Sequence, residues 1–203
     1  MATTPRPEDR RVVQIALESD CDVYVGDEHH VARRVIEAAR LYDTDVIVRV
    51  THDCPLIDPD VIDETIELLM NNRGVSFAGN RVDPLAYPDG LDVDVITTDY
   101  LEAIWKSRLS KNYPPEGIVK PILDSPTLSL RIKNKTYRGI GALQTEWGPL
   151  DLRWCLDTEE DLKWIETIFD YYQDRPFGFH DIMYDFINWK TMVTRVVIDA
   201  DNS

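Results

Sequence analysis

Two aspartates separated by 104 positions carry the clearest chemical signal in this sequence. Asp53 follows the β-branched run Val46-Ile47-Val48-Arg49-Val50, and Asp157 follows the apolar run Leu152–Leu156. Ligands of open α/β sheets bind beyond the carboxyl ends of strands. If both strands run parallel in one sheet, the two carboxylates meet at one edge. A carboxylate pair with open coordination positions beside substrate phosphates describes a magnesium site. Helix capping competes with this role at Asp157, because Asp157 or Thr158 would cap the helix opened by Glu159-Glu160-Asp161, and spacing alone favours the cap. The competition is weaker at Asp53, since the next helix has Asp58 as its cap and Pro59 at its first position.

Other candidates are less pointed. Tyr87-Pro88-Asp89-Gly90-Leu91-Asp92-Val93-Asp94 gathers carboxylates but lacks the residue order of a calcium loop. It reads equally as a turn and an edge strand with outward aspartates. His29 and His30 are adjacent on an expected helix, about 100° apart, and suit a solvated or capping pair better than a shared metal. Arg33 and Arg34 lie one turn beyond Gly26, within reach of an anion. Lys120, Arg131, Lys133, Lys135 and Arg138 concentrate base in an otherwise acidic chain, which suits an anionic ligand. There is no GxGxxG, P-loop, GxSxG or HExxH.

The elements that must place these residues alternate. The pattern predicts a helix over 8–18 with Val12, Val13 and Leu17 apolar, then a strand at 22–25. A helix over 28–42 follows, with Val31, Val35, Ala38, Ala39 and Tyr42 on one face. A buried strand is expected at 46–50, a helix over 59–72 ending before Gly74, and a buried strand at 75–78. This rhythm implies a doubly wound, mostly parallel sheet. Beyond residue 80 it changes. Asp92–Val95 alternates as a half-exposed antiparallel strand would, and a helix follows over 99–109. Residues 128–132 and 136–138 read as a hairpin, and 152–156 as another strand. Helices are expected over 157–172 and near 180–190. Without a repeat or linker, 1–203 reads as a single domain.

Bulk properties narrow the partners. With 37 acidic and 22 basic residues the net charge is −15, which argues against a nucleic-acid polymer, whose binding needs a basic face. A small anion remains compatible, since a bound divalent cation reverses the local field. No apolar run approaches the roughly 20 residues of a membrane span, and Met1–Arg11 lacks a signal-peptide core. Cys21, Cys54 and Cys155 are odd in number and widely spaced, as suits reduced thiols. A cytoplasmic protein is the expectation.

Three segments together resemble a known family. VGDEHHVARRVIEAARLYDTDVIVRVTHDCPLIDPDVID, YPDGLDVDVI and RWCLDTEEDL, in this order, resemble the cytidylyltransferases that make CMP-activated sugars. The branch most similar is the spore coat polysaccharide biosynthesis protein F type, related to acylneuraminate and 3-deoxy-manno-octulosonate cytidylyltransferases. The resemblance runs over 2–172, leaving 173–203 as a C-terminal helix and tail. It implies a nucleotide-diphospho-sugar transferase fold, Rossmann-like, with an antiparallel hairpin region. It further implies that Asp53 and Asp157 hold Mg2+ against the phosphates of CTP, and that Arg34 and Arg49 lie at the nucleotide. Asp89, Gly90, Asp92 and Lys120 would lie on the side of the sugar acid. The implied reaction is attack of a sugar-acid hydroxyl on the α-phosphorus of CTP, releasing pyrophosphate, in a homodimer serving surface-polysaccharide synthesis.

The departures from the family pattern are also informative. Members begin with an apolar strand and a loop like A-R-x-G-S-x-R-x-x-x-K that grips the triphosphate, whereas Met1–Arg11 resembles the end of the second strand. The resemblance therefore implies an N-terminally truncated chain. His52 stands where glycine is expected, and Glu116-Gly117-Ile118-Val119 replaces E-H-V-T. Two readings follow: a nucleotidyltransferase whose phosphate loop lies outside this sequence or on another polypeptide, or an inactive homologue serving as a binding or dimerising module. A different glycan-processing transferase on the same scaffold is a third, weaker reading.

Overall fold

A computed structural model describes residues 1–80, 87–108, 118, 132–134, 144–145, 148–149 and 153–185. The chain divides into two compact units. The first holds 1–49, 65–80 and the described part of 94–135; the second holds 50–64 and the described parts of 81–93 and 136–203.

In the first unit, β1 (Ala2–Thr3) and β2 (Tyr24–Val25) pair in parallel. Asp9 steadies this start by accepting from the Thr3 and Thr4 hydroxyls and the Thr4 N–H. A short 3-10 turn, Pro7–Asp9, leads into α1 (Arg10–Glu18). The expected apolar face of α1 is not its buried one. Only Ala16 is buried, while Val12 and Leu17 are 45% and 61% exposed. α2 (Val31–Leu41) starts three residues later than the pattern predicts. The Asp27 carboxylate takes the His29 and His30 N–H groups, each at 2.9 Å, and holds that segment outside the helix. The buried face of α2 is Ala32, Ile36 and Ala39, rotated one position from the expected set. Small residues there let the helix pack closely, and the bulkier Tyr42 stays 47% exposed.

The main sheet has the order β3-β5-β4-β6, with β3 Val46–Arg49, β4 Phe77–Gly79, β5 Asp94–Thr97 and β6 Ile132–Asn134. β5 runs antiparallel to both β3 and β4, and β6 is parallel to β4. The strands β3, β4 and β6 thus share one direction, with a single reversed strand among them: an α/β fold, as expected. Two strand expectations need correction. β3 is not covered on both faces, since Val48 is 40% exposed, and among the described residues it is the end strand of the sheet. β5 is antiparallel as predicted but central rather than half-exposed, with Val93 and Val95 fully buried and Asp94 7% exposed. Burying Asp94 is tolerable because Arg49 pairs with it across β3 and β5 at 2.8 Å. Of the expected hairpin of 128–132 with 136–138, only Ile132 is described, in β6 of the main sheet; 128–131 and 136–138 lie outside the described residues. The antiparallel pair found is β7 (Gln144–Thr145) with β8 (Gly148–Pro149).

α3 (Pro59–Met70) crosses the division between the units and ends before Gly74, whose φ of +80° is a conformation that glycine adopts freely. α4 (Thr98–Arg108) packs on α2, where Arg40 reaches Glu102 and Asp99 and the His30 ring meets Trp105 edge-on. The second unit contains α5 (Glu159–Tyr172) and a further helix beginning at 179. Trp154, Phe179, Tyr87 and Leu91 form its core, with the Phe179 ring against both Tyr87 and Trp154. Among the described residues, no helix is long and apolar enough to cross a membrane.

Candidate functional site

Three stretches of the second unit converge on one another through their backbones. The Leu156 N–H donates to the Asp53 carbonyl at 2.8 Å, and the Trp154 N–H donates to the Asp89 carbonyl at 2.6 Å. An isolated bridge pairs Asp89 with Arg153 in parallel. The expected strand over 152–156 is therefore, in its described part, a single extended pass between the Asp53 turn and the Asp89 turn. It carries Asp157 out beyond them. Residues 51–58, 87–92 and 153–161, distant in sequence, are joined here.

Gly90 makes this approach possible. Its φ is +107°, and a Cβ built on it would fall 2.4 Å from the Trp154 carbonyl carbon and 2.6 Å from the Cys155 nitrogen. No side-chain rotation relieves a contact with backbone, so the 153–155 pass needs glycine here. Gly90 thus shapes the site through the chain it lies against.

The carboxylates differ in how they are held. Asp53 is partly buried, and its Oδ1 accepts from the Thr51 hydroxyl and, at 3.6 Å, from the Cys54 thiol. Burial is the largest single influence and pushes this carboxyl upward. Hydrogen bonds from Thr51, its own backbone N–H and Cys54 outweigh burial and hold it below the usual aspartate range. Its second oxygen has no partner among the described residues. Asp157 is more exposed and does not cap α5. Thr158 does so in a full capping box, its hydroxyl receiving the Asp161 N–H while the Asp161 carboxylate receives the Thr158 N–H. The Asp157 carboxylate instead pairs with Arg153.

Arg153, absent from the expected site, is its most connected side chain. Nη1 donates to Asp161 Oδ1 at 2.8 Å, Nη2 donates to Asp157, and Nε lies 3.9 Å from Asp89 Oδ2. This guanidinium, with help from the α5 cap, holds Asp161 at about 2. An arginine four residues before Asp157 was the available signal, obscured because such spacing has meaning only on a helix and both residues precede α5.

Below these charges lie two thiols. Cys54 is buried, its Sγ 3.2 Å from the Thr51 hydroxyl and within reach of the Asp92 N–H. Burial pushes Cys155 up to about 12, with Asp89 and Cys54 adding to it. Both are free thiols that pack as small hydrophobes, while Cys21 is exposed.

The remaining expected residues belong to the first unit or are not described. Arg34 is in the first unit, where its Nη1 donates to the Asp27 carbonyl at 2.6 Å and its buried Nε has no hydrogen-bond partner among the described residues. Arg49, in the same unit, faces Asp94. Lys120 lies outside the described residues. The second unit thus gathers Asp53, Asp89, Gly90, Asp92 and Asp157.

As a donor set for magnesium, Asp53 and Asp157 supply the hard oxygens that this ion prefers. Among the described residues no group of three or more His, Cys, Asp or Glu side chains is placed to hold a metal. Two carboxylates fit an ion that keeps several waters and takes further oxygens from substrate phosphates.

Comparison with known proteins supplies the family. An uncharacterized protein of Methanocaldococcus jannaschii is 34% identical over 128 residues, 63% of this chain and 50% of that protein. The chain thus matches half the length of this curated relative. A cytidylyltransferase from Leptospira borgpetersenii superposes with a TM-score of 0.77 at 24% identity, covering 93% of this chain and 75% of that one. A CMP:2-keto-3-deoxy-manno-octonic acid synthetase complexed with CTP superposes with a TM-score of 0.55 at 13% identity, covering 83% and 79%. At these identities the two structures establish the fold. The family model described as cytidylyltransferase matches residues 3–177, most of the chain, and the chain therefore belongs to the cytidylyltransferase family.

Proposed function

We propose that this chain transfers CMP from CTP to the hydroxyl of a sugar acid, releasing pyrophosphate, as a cytoplasmic homodimer in surface-polysaccharide synthesis. The observation that carries the reading is the convergence of the Asp53, Asp89 and Asp157 segments in one unit, tied by the 156-to-53 and 154-to-89 hydrogen bonds. Family membership supports CTP as the nucleotide, and the CTP-bound synthetase with the same fold supports a sugar acid as acceptor.

In the reaction, the acceptor oxygen forms a bond to the α-phosphorus while the bond from that phosphorus to the bridging oxygen breaks. The hydroxyl proton passes to solvent water, and pyrophosphate leaves with the electron pair of the broken bond. A magnesium ion held by Asp53 and Asp157 would neutralise charge building on the phosphate oxygens. The chain's own contribution is placement. Thr51 orients one Asp53 oxygen through its hydroxyl. The α5 cap fixes the Asp157 backbone, and the tight Gly90 turn fixes Asp89 beside Arg153. Such positioning supplies much of the rate in phosphate-transfer sites.

Incubation with CTP, magnesium and a panel of sugar acids, following pyrophosphate, tests the reading. The expected result is pyrophosphate with at least one acceptor, lost in Asp53→Asn and Asp157→Asn. No pyrophosphate from any acceptor, together with no thermal shift from CTP and magnesium, would leave only a binding or dimerising module.

A further inference from the structure

Resting on the magnesium reading above, we infer that Arg153 is a positioning residue that occupies the Asp157 carboxylate until a divalent cation displaces it. The geometry is asymmetric. Asp161 is fixed from two sides, since its Oδ2 receives the Asp157 and Thr158 N–H groups at 3.0 and 2.8 Å while its Oδ1 receives Arg153 Nη1 at 2.8 Å. The guanidinium is thereby anchored to the start of α5, with Asp89 on its other side at 3.9 Å. The Asp157 side chain is 55% exposed, and Arg153 Nη2 is its one partner among the described residues.

Arg153 and a metal ion therefore compete for the same carboxylate. Displacing Arg153 does not release it, because Asp161 still holds Nη1. It would stay beside the site with Nη2 newly free. With the Asp157 side chain more than half exposed, this ion pair is weak enough to be exchanged at low cost. The consequence is a site that binds the bare cation poorly and leaves most of the binding to a cation already carried by phosphates.

Titrating the full chain with Mn2+ alone, reading free Mn2+ by electron paramagnetic resonance, tests this without turnover. Arg153→Gln and Arg153→Met are expected to bind Mn2+ about three- to fivefold more tightly than the unaltered chain, the range that loss of one exposed ion pair allows. Arg153→Lys keeps a competing cation and is expected to stay near the unaltered affinity. In the double variant with Asp157→Asn the gain should vanish, which separates competition for this carboxylate from general charge removal. Circular dichroism identifies any variant that fails to fold, and the second neutral substitution then carries the comparison. Equal or weaker Mn2+ binding in both neutral variants overturns the role of Arg153. If Asp53→Asn and Asp157→Asn leave Mn2+ binding unchanged, the magnesium reading fails instead, and Arg153's role falls with it.

Discussion

At the scale of the residue, two glycines with the same backbone sign differ in what surrounds them. Gly74 has φ +80° and nothing within 4 Å of where a Cβ would stand, whereas Gly90 has φ +107° and the Trp154–Cys155 backbone under 3 Å away. Gly74→Ala should cost only the left-handed conformation, about 1 kcal/mol. Gly90→Ala adds a clash that can be relieved only by moving the 153–155 pass, so a loss of roughly 3 kcal/mol or more is expected. Urea unfolding of both variants checks the contrast, and equal losses would show that the 153–155 pass yields freely. Gly90 was legible as a turn glycine and as a family position. Its dependence on Trp154, 64 positions away, was not, because no local pattern encodes which strand passes a turn.

At the scale of the element, the start of α5 separates the capping residue from the carboxylate proposed to hold metal. Thr158 caps, and Asp157 is left with an oxygen for other work. Thr158→Ala is expected to lower stability by about 1 kcal/mol, as for caps generally, and chemical denaturation would reveal it. Asp161 has its carboxyl lowered from 3.8 to about 2, first by Arg153 and then by the cap N–H groups. A lowered carboxyl adds stability that is fully present above its unfolded value and lost as protons return. The α5 contribution should therefore hold above about pH 4 and disappear between about pH 4 and pH 2. Asp161→Asn should be less stable than the unaltered chain at pH 6 and match it near pH 2. Stability curves that stay parallel across that window would exclude this linkage.

The helices were legible as elements because their apolar spacing is local, but their starts and buried faces were not: at Asp27 a side chain takes N–H groups the helix would have used, and α1 buries Ala16 rather than Val12 and Leu17. The strands were legible as elements but not as neighbours. VIVRV reads as a covered strand, yet Val48 of β3 is exposed and β3 ends the sheet among the described residues; DVDVI reads as an edge, yet β5 is central, with Arg49 answering Asp94. Alternation reports the side-chain pattern along one strand, while sheet order is set by partners far along the chain.

For the molecule as a whole, the balance of 37 acidic against 22 basic residues leaves a net charge of −15. Self-repulsion of that size destabilises the compact state. Sodium chloride from 10 to 150 mM shortens the screening length from about 30 to about 8 Å. The thermal midpoint should therefore rise with salt, although surface ion pairs such as Arg40–Glu102 weaken, because exposed pairs contribute little individually. A falling midpoint would show that the pairs outweigh the repulsion. Magnesium chloride at matched ionic strength separates the general field from a built site. A nonspecific effect of the divalent ion would be retained in Asp53→Asn, since one charge among many hardly alters the field. Binding at the Asp53 and Asp157 carboxylates stabilises by mass action on the folded state alone. The expectation is an added rise with magnesium over sodium in the unaltered chain, largely lost in Asp53→Asn and enlarged in Arg153→Gln. An added rise of equal size in all three would assign the effect to the acidic surface and remove the carboxylate pair from the argument.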